Sequence, residues 1–162
     1  IWGLIELYEA CFEVRYLKAA LNLNADLIER FWDKKHGGFY FAADDVSDLL
    51  IRKKELYDGA TPSGNSVEAL NLLRLARITA DSNLEQKAHE LISTFSGAIA
   101  DYPSAYTQIL CALEFALGPN FEVIISGSQE AEDTKDMLQA LRRPFLPNKV
   151  ILFRPNDQDP PK

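Results

Sequence analysis

The feature that most constrains this chain is a repeated pair of helical patterns, an apolar one followed by an amphipathic one. Leu27-Ile28-x-x-Phe31 ends one amphipathic pattern, and Leu91-Ile92-x-x-Phe95 occupies the same place in another. Each follows a more apolar helix, over Leu4 to Phe12 in the first case and Val67 to Ile78 in the second. Such hairpins cannot bury their inner faces alone, so the repeat predicts an inner layer of helices covered by an outer layer.

Local signals place the boundaries of these elements. Pro62 prevents the third helix from beginning earlier, and either Ser63 or Asn65 can cap it. Short strands are expected at Phe39-Tyr40-Phe41, after Gly37-Gly38, and around Leu49 to Arg52. The spacing of apolar residues predicts helices from the start of the chain to about Glu13, from Tyr16 to Asp33, Ser63 to Ala80, Asp81 or Ser82 to Ala100, and Ser104 to Leu117.

The end of the chain follows a different pattern. Phe121 to Ser126 and Lys149 to Phe153 have the composition of buried strands, and Glu130 to Leu141 is predicted to form a helix between them. This order is typical of a parallel βαβ unit. The sequence therefore predicts a mainly α chain, with helical hairpins over residues 1–118 and a small α/β appendage with a polar tail over residues 119–162.

Composition excludes several classes of function. The formal net charge is −7, without a basic cluster, so we expect no nucleic-acid partner. No apolar run is long enough to span a bilayer, so no membrane partner is expected. Two separated cysteines and two histidines predict neither a disulfide framework nor a metal site. We expect no cofactor and a cytoplasmic location.

The chain opens inside an apolar helical pattern, Ile1-Trp2-Gly3-Leu4-Ile5, without a helix cap. We interpret it as a fragment of a longer protein. Its first helix is therefore expected to expose an apolar face and to support self-association.

One stretch resembles a known family. Arg52-x-Lys54-x-x-Tyr57-Asp58-Gly59-Ala60-x-Pro62-Ser63-Gly64-Asn65-Ser66, followed by Leu70 to Ala76, closely resembles the YyaL-like proteins, also called spermatogenesis-associated thioredoxin-like proteins. Phe31-Trp32-Asp33 with Gly37 to Phe41, and the opening Gly3 to Tyr8, fit the same family. The similarity covers most of the chain and is densest from Phe31 to Ala76.

The resemblance implies an N-terminal thioredoxin-like domain followed by an (α/α)6 toroid, similar to those of six-hairpin glycosidases and N-acylglucosamine 2-epimerases. This chain would then be a partial helical-hairpin toroid, the last hairpins with a C-terminal βαβ appendage. The missing N-terminal region of the same protein would be its natural partner. Sugar chemistry is implied through fold analogy alone.

The Asp58–Ser66 loop is the first candidate site. We expect Asp58 as a general acid or base, with Ser63, Asn65 and Ser66 binding the hydroxyl groups of a substrate. The alternative is that the glycines and Pro62 shape a turn while Ser63 or Asn65 caps the helix.

Other candidates have structural alternatives too. Arg52 and Lys54 alternate on one face, so they can bind an anionic ligand or pair with Asp58 and Glu55. Glu6 is a candidate second catalytic carboxylate, of the kind glycoside hydrolysis needs, or a solvated helix residue. The aromatic residues can stack on a sugar or belong to the core: Trp32, Phe39, Tyr40 and Phe41.

Two functions follow from these patterns. The first is the binding or processing of a carbohydrate or another small polar ligand, to which this chain contributes part of one wall. The alternative is a redox or protein-handling factor, in which the upstream domain carries the chemistry and this region is a helical interaction scaffold. The sequence leaves open whether the chain is an enzyme.

Overall fold

A computed structural model describes residues 1–46 and 51–156, which form helices and one small sheet. The helices are α1 (Trp2–Cys11), α2 (Val14–Phe31), α3 (Gly64–Thr79), α4 (Ser82–Thr94), α5 (Ser96–Asp101), α6 (Thr107–Leu117) and α7 (Glu132–Arg142), with a 3₁₀ turn at Pro103–Ala105. The strands are β1 (Phe121–Gly127) and β2 (Lys149–Pro155). Among the described residues, no helix has the length and apolar character needed to cross a bilayer.

The helices form two layers, with α3 at the centre. Helix α3 contacts α1 on one side and α6 on the other, while α4 packs against α3 and α2 packs against α1. Leu72, Leu73 and Leu75 are at most 1% exposed. Burying each such side chain stabilises the fold by roughly 1.5–3 kcal/mol. The prediction of a mainly helical chain is confirmed, whereas closure of a toroid stays a prediction.

The first two inner helices end in the same way. Phe12 after α1 and Ala80 after α3 are both left-handed, with φ of 58° and 55°, and their backbone N–H groups bond to Tyr8 O and Ala76 O. A residue other than glycine in this conformation costs about 1 kcal/mol. The shared ending agrees with the repeat read from the sequence.

The predicted βαβ unit is confirmed. Strands β1 and β2 pair in parallel, from Phe121 opposite Lys149 to Gly127 opposite Pro155, and α7 connects them. The unit packs on the C-terminal ends of α1 and α3, where the rings of Phe12 and Phe153 lie 5.4 Å apart. Its buried residues share one apolar cluster with the helices. The division of the chain at residue 118 stays a prediction.

The fourth predicted helix does not run unbroken to Ala100. It ends at Thr94, and α5 begins at Ser96, because Phe95 leaves helical geometry with φ of −107° and ψ of 5°. The Phe95 ring lies against the turn at Gly38, where an added Cβ would be 3.0 Å from it. Contact with that turn therefore accompanies the break.

The predicted strand over residues 39–41 is wrong. Within residues 1–46 and 51–156, the segment forms a single antiparallel bridge, between Trp32 and Phe39. The remaining backbone bonds of this segment go to scattered partners, such as Tyr40 N to Phe31 O at 2.9 Å and Phe41 N to Lys53 O at 2.7 Å. The strand expected around residues 49–52 falls partly outside the described residues, and residues 51–52 are not in a strand.

A tight glycine turn links this segment to α4. Gly37 and Gly38 have φ of 72° and 78°. A Cβ added at Gly37 would lie 2.3 Å from Thr94 Oγ1, closer than real atoms approach. Both the backbone conformation and the contact therefore require glycine at residue 37.

We expect Gly37→Ala to destabilise the fold by at least about 1–2 kcal/mol, because the left-handed backbone and the clash both oppose a side chain. Urea unfolding measures the change. Gly97→Ala is the matched control, since an added Cβ there meets nothing within 4 Å. Equal urea midpoints for the two variants would contradict this account of the turn.

Candidate functional site

Asn65 is a structural clamp at the beginning of α3. It is 3% exposed. Its Oδ1 accepts a hydrogen bond from Phe39 N at 2.7 Å, and its Nδ2 donates to Phe39 O at 2.9 Å and Glu55 O at 2.7 Å. The side chain therefore ties two loop segments to the first turn of the helix.

The two serines beside Asn65 cap the same helix. Ser63 Oγ accepts from Ser66 N at 3.1 Å, which identifies Ser63 as the cap left open in the sequence analysis. Ser63 Oγ also donates to Ser66 Oγ at 2.9 Å, and Ser66 Oγ donates to Leu56 O at 3.4 Å. Both residues are buried, so their hydroxyl groups serve the turn.

Asp58 joins this loop to α6. Its Oδ1 accepts from Ser63 N at 2.9 Å, and its Oδ2 accepts from Gln108 N, in the first turn of α6, at 2.8 Å. Its own N–H donates to Ala105 O at 2.9 Å. The carboxylate is thus engaged with backbone donors on both oxygens, as in helix capping.

Arg52 holds the loop that follows α2. Its guanidinium donates to Ala42 O at 2.7 and 3.0 Å and to Arg30 O at 3.1 Å. It also lies 4.1 Å from the centre of the Tyr40 ring, a cation–π distance. These bonds engage its Nε and Nη2 groups with backbone carbonyls and its guanidinium face with an aromatic ring.

Lys54 pairs with Asp33, which the sequence analysis did not single out. The Lys54 ammonium lies 2.7 Å from Asp33 Oδ2 and donates to Gly37 O at 2.5 Å. Asp33 also accepts from the Tyr40 hydroxyl at 2.7 Å and from the N–H groups of Lys35 and His36. The bond from Lys54, then that from Tyr40, holds the pKa of Asp33 well below its usual range.

Glu6 lies in a bridge between α1 and α3. Its Oε1 accepts from Trp2 Nε1 at 2.9 Å and pairs with Arg74 of α3. Arg74 also lies 3.3 Å from Glu9 Oε1, within ion-pair distance but without hydrogen-bond geometry. Burial raises the pKa of Glu9 despite the opposing charge of Arg74.

The cavity of interest lies elsewhere, at the N-terminal ends of α1 and α3. It has a volume of about 470 Å³ and is also bounded by the end of α2 and the loop over residues 39–41. Five aromatic residues line it: Trp2, Phe31, Phe39, Tyr40 and Phe41. Four polar side chains line it too: Glu55, Asn65, Glu68 and Asn71. We call this space the α1/α3 cavity.

Glu68 is the chemically distinctive residue of the α1/α3 cavity. It is only 4% exposed, and its Oε2 accepts from Asn71 Nδ2 at 2.9 Å. Its Oε1 is buried without a hydrogen-bond partner among the described residues. Burial raises the pKa of Glu68 to about 7, against the opposing effects of the Asn71 bond and the amino-terminal charge. Glu68 can therefore exchange a proton near neutral pH.

The sequence contains an indication of a functional role for Glu68 that the periodicity of apolar residues does not reveal. Glu68 is a carboxyl within a helix that is apolar on most sides, followed by Asn71 on the same face. A buried acid needs partners or a raised pKa. An acid in so apolar a helix is consequently a candidate functional group.

The structure brings Asp58, Ser63, Asn65 and Ser66 together where α3 begins, but it places most of the residues predicted to form a site outside the α1/α3 cavity. Of the seven candidates, Asn65 alone lines the α1/α3 cavity. The other six do not line it: Glu6, Arg52, Lys54, Asp58, Ser63 and Ser66. Of the aromatic set, Phe39, Tyr40 and Phe41 line the cavity, whereas Trp32 does not. Asp58 lies in a capping network and does not line the cavity.

We expect Asp58→Asn to destabilise the fold by about 1–2 kcal/mol, because the amide replaces one of two oxygens that accept backbone N–H groups. Thermal unfolding measures the loss. Asp26→Asn, at an exposed position on α2, is the control and should change stability little. Unchanged stability in Asp58→Asn would contradict a capping role.

Glu68 predicts a pH dependence of stability. Its folded pKa is raised, so between pH 4.5 and about 7 the folded state retains a proton that the unfolded state loses, and stability falls as pH rises through this window. In Glu68→Gln the side chain at this position does not titrate, so this pH dependence is absent. Its stability relative to the parent should rise by about 3 kcal/mol between pH 4 and pH 8.

Urea unfolding of both proteins across this pH range provides the measurement. Asp33 has a lowered pKa, so its contribution is lost only as pH falls below its unfolded range. That contribution is common to both proteins and cancels in the difference. A parent–variant difference that stays constant with pH would show that Glu68 is not perturbed.

No protein-family model matches the chain. It is 38% identical over 157 residues to spermatogenesis-associated protein 20 of Rattus norvegicus and 35% identical over 156 residues to that of Homo sapiens. Each alignment covers 96% of this chain and 20% of the relative. An uncharacterized protein of Caenorhabditis elegans is 26% identical over 160 residues, with 98% of the chain and 22% of that protein covered.

The chain therefore spans about a fifth of the length of the curated relatives that it matches. The family name in the sequence-based resemblance is supported by these relatives, while its toroid and its thioredoxin-like domain stay predictions. Along nearly its whole length, the chain is similar to one part of spermatogenesis-associated protein 20.

Proposed function

We propose that this chain contributes a binding site for a small polyhydroxylated ligand of the carbohydrate class, located in the α1/α3 cavity. The observation that carries the proposal is Glu68, a buried carboxyl with an unpartnered oxygen among the described residues, in a cavity with aromatic walls. A buried polar atom without a partner is costly, and a bound hydroxyl group would satisfy it.

The cavity offers the two kinds of surface that a sugar ring requires. A sugar has apolar C–H faces and a polar edge of hydroxyl groups. Phe41 and Trp2 line the cavity while 74% and 42% exposed, so their ring faces are available to the apolar side of a ligand. Glu68 and Asn71 supply hydrogen-bonding groups for the polar edge. A volume of about 470 Å³ accommodates a small ligand.

The Asp58–Ser66 loop has a supporting role in this proposal. Asn65 fixes Phe39, which lines the cavity, against the first turn of α3. Ser63 and Asp58 hold that turn at the beginning of the helix. The loop thus positions the aromatic wall, and Glu68 is the group suited to transfer a proton to or from a ligand.

The rest of a longer protein would complete the site. We propose that the inner helices continue into further hairpins, as in a toroid, and that a thioredoxin-like region precedes them. Relatives about five times as long as this chain, of which it covers 20%, support such neighbours. Leu7 of α1 is 47% exposed, which favours an added helix or a second copy along this face.

Calorimetry and backbone NMR with a panel of neutral mono- and disaccharides test the proposal. We expect a sugar to shift the amide signals of Gly3, Gly64 and Asn71, which line the cavity. Phe41→Ala should weaken binding at least about tenfold, equivalent to about 1.4 kcal/mol, through loss of stacking. Phe145→Ala, at a 91% exposed position that does not line the cavity, should leave binding unchanged.

Glu68→Leu separates binding from folding. It replaces a buried carboxyl with an apolar side chain of similar size, so we expect stability to be kept or raised while sugar binding is lost. The proposal would be contradicted if a sugar still shifted the amide NMR signals of Glu68→Leu. It would also be contradicted if no sugar of the panel bound the parent protein.

A further inference from the structure

We propose that the ligand of the α1/α3 cavity carries a protonated amine, as an amino sugar does, and that its ammonium group binds the carboxylate of Glu68. The inference rests on the proposed function, because it assumes that this cavity binds a small polyhydroxylated molecule. It narrows that class to members with a positive charge. Three observations support it.

The first observation is that Glu68 lacks a cationic partner. Asp33 and Glu68 are the buried acids among the residues that the structure describes, at 6% and 4% exposed. The ammonium group of Lys54 lies 2.7 Å from Asp33 Oδ2. By contrast, Glu68 Oε2 accepts from the neutral amide of Asn71, and Oε1 has no partner within the described part of the chain. A buried carboxylate is costly without a paired charge, and the ammonium group of a ligand would supply it.

The second observation is the charge of the side chains around the cavity. Glu55, in the loop before α3, lines the cavity together with Glu68. Within residues 1–46 and 51–156, no Lys, Arg or His side chain lines it. The beginning of α3 contributes about half a positive charge, and the Ser63 side chain already caps it. Two carboxyl groups outweigh that half charge, so the cavity favours a cation over an anion.

Two cationic side chains near the cavity wall are already engaged. Arg52 and Lys54 lie 4.1 and 5.0 Å from the centre of the Tyr40 ring and do not line the cavity. Lys54 is paired with Asp33, and Arg52 donates to backbone carbonyl groups. Neither is therefore the missing partner of Glu68.

The third observation is the aromatic wall. Phe31 and Phe41 line the cavity, and Phe41 is 74% exposed. The face of an aromatic ring attracts an ammonium group, while it offers no oxygen ligand to an inorganic cation such as Mg²⁺. An organic ammonium ion fits both surfaces, because its N–H groups can donate to Glu68 while its C–H surface packs on the rings.

Calorimetry at pH 7 with 6-amino-6-deoxyglucose and glucose tests the inference. The two sugars differ in one group, an alkyl amine that is protonated at this pH in place of a hydroxyl. We expect the amino sugar to bind the parent at least about tenfold more tightly than glucose. Glucuronate, with the opposite charge, should bind more weakly than glucose. The chain is used with an acetylated amino terminus, so that no terminal charge enters the comparison.

Glu68→Gln separates the charge from the shape of the site. This variant keeps a hydrogen-bonding side chain of the same size, so glucose should bind within about twofold of its affinity for the parent. The amino sugar should lose at least about tenfold in affinity, because the buried negative charge is absent. Glu132→Gln, at an exposed position on α7 outside the cavity, is the matched control and should keep the preference for the amino sugar.

The proton balance is a second measurement, made in two buffers that differ in ionisation enthalpy. Burial leaves Glu68 partly protonated near pH 7, and pairing with an ammonium group favours its ionised form. Binding of the amino sugar should therefore release protons from the parent and none from Glu68→Gln. The other titratable side chains at the cavity are Glu55, in the loop, and Tyr40, whose hydroxyl donates to Asp33. The lining side chains of α1 and α2 do not titrate.

The outcomes distinguish the inference from the proposed function. If glucose binds as tightly as the amino sugar, or glucuronate binds more tightly than either, the inference is overturned while the proposed function stands. A preference for the amino sugar that persists in Glu68→Gln would also overturn the inference, since the charge would then bind elsewhere. If neither the amino sugar nor any member of the neutral panel binds, both are overturned.

Discussion

The burial of α3 is the constraint on which the other features depend. This helix is apolar on most sides, and it is covered by α1, α4 and α6 together. Covering it aligns the N-terminal ends of α1 and α3 at one cavity and leaves their C-terminal ends against the α/β unit. Polar residues of α3 are then buried as well and need partners within the protein. Arg74 pairs with the acids of α1, whereas Glu68 faces the cavity with an incomplete set of partners.

Polar groups at this end of the molecule divide into two kinds. The side chains of Asn65, Ser63 and Asp58 are hydrogen-bonded to backbone groups, so they build the loop and leave little capacity for a ligand. Glu68 is buried with one carboxyl oxygen that has no hydrogen-bond partner among the described residues. A fold tolerates such a group when its pKa shifts or when a ligand completes it. The contrast between satisfied and unsatisfied groups locates the candidate site better than the density of polar residues does.

The sequence predicted the repeat, the hairpin order and the βαβ unit well, because each depends on a strong periodic pattern of apolar residues. It did not predict the break at Phe95, which accompanies contact with a distant turn at Gly38. The candidate site was harder to predict from the sequence than the fold. The composition of the polar loop around Asp58 suggested a ligand site, yet local and tertiary hydrogen bonds engage its polar groups. The periodic pattern did not single out Glu68 or Asp33, and their burial and hydrogen-bond partners identified them in the structure.

The most direct test of the central claim is a ¹³C NMR titration of the Glu68 carboxyl, assigned by comparison with Glu68→Gln, with and without a saturating sugar ligand. The account predicts a midpoint near pH 7 in the free protein and a clear displacement of that midpoint when the ligand occupies the cavity. A midpoint near the ordinary value of 4.5, unaffected by any ligand of the panel, would contradict it.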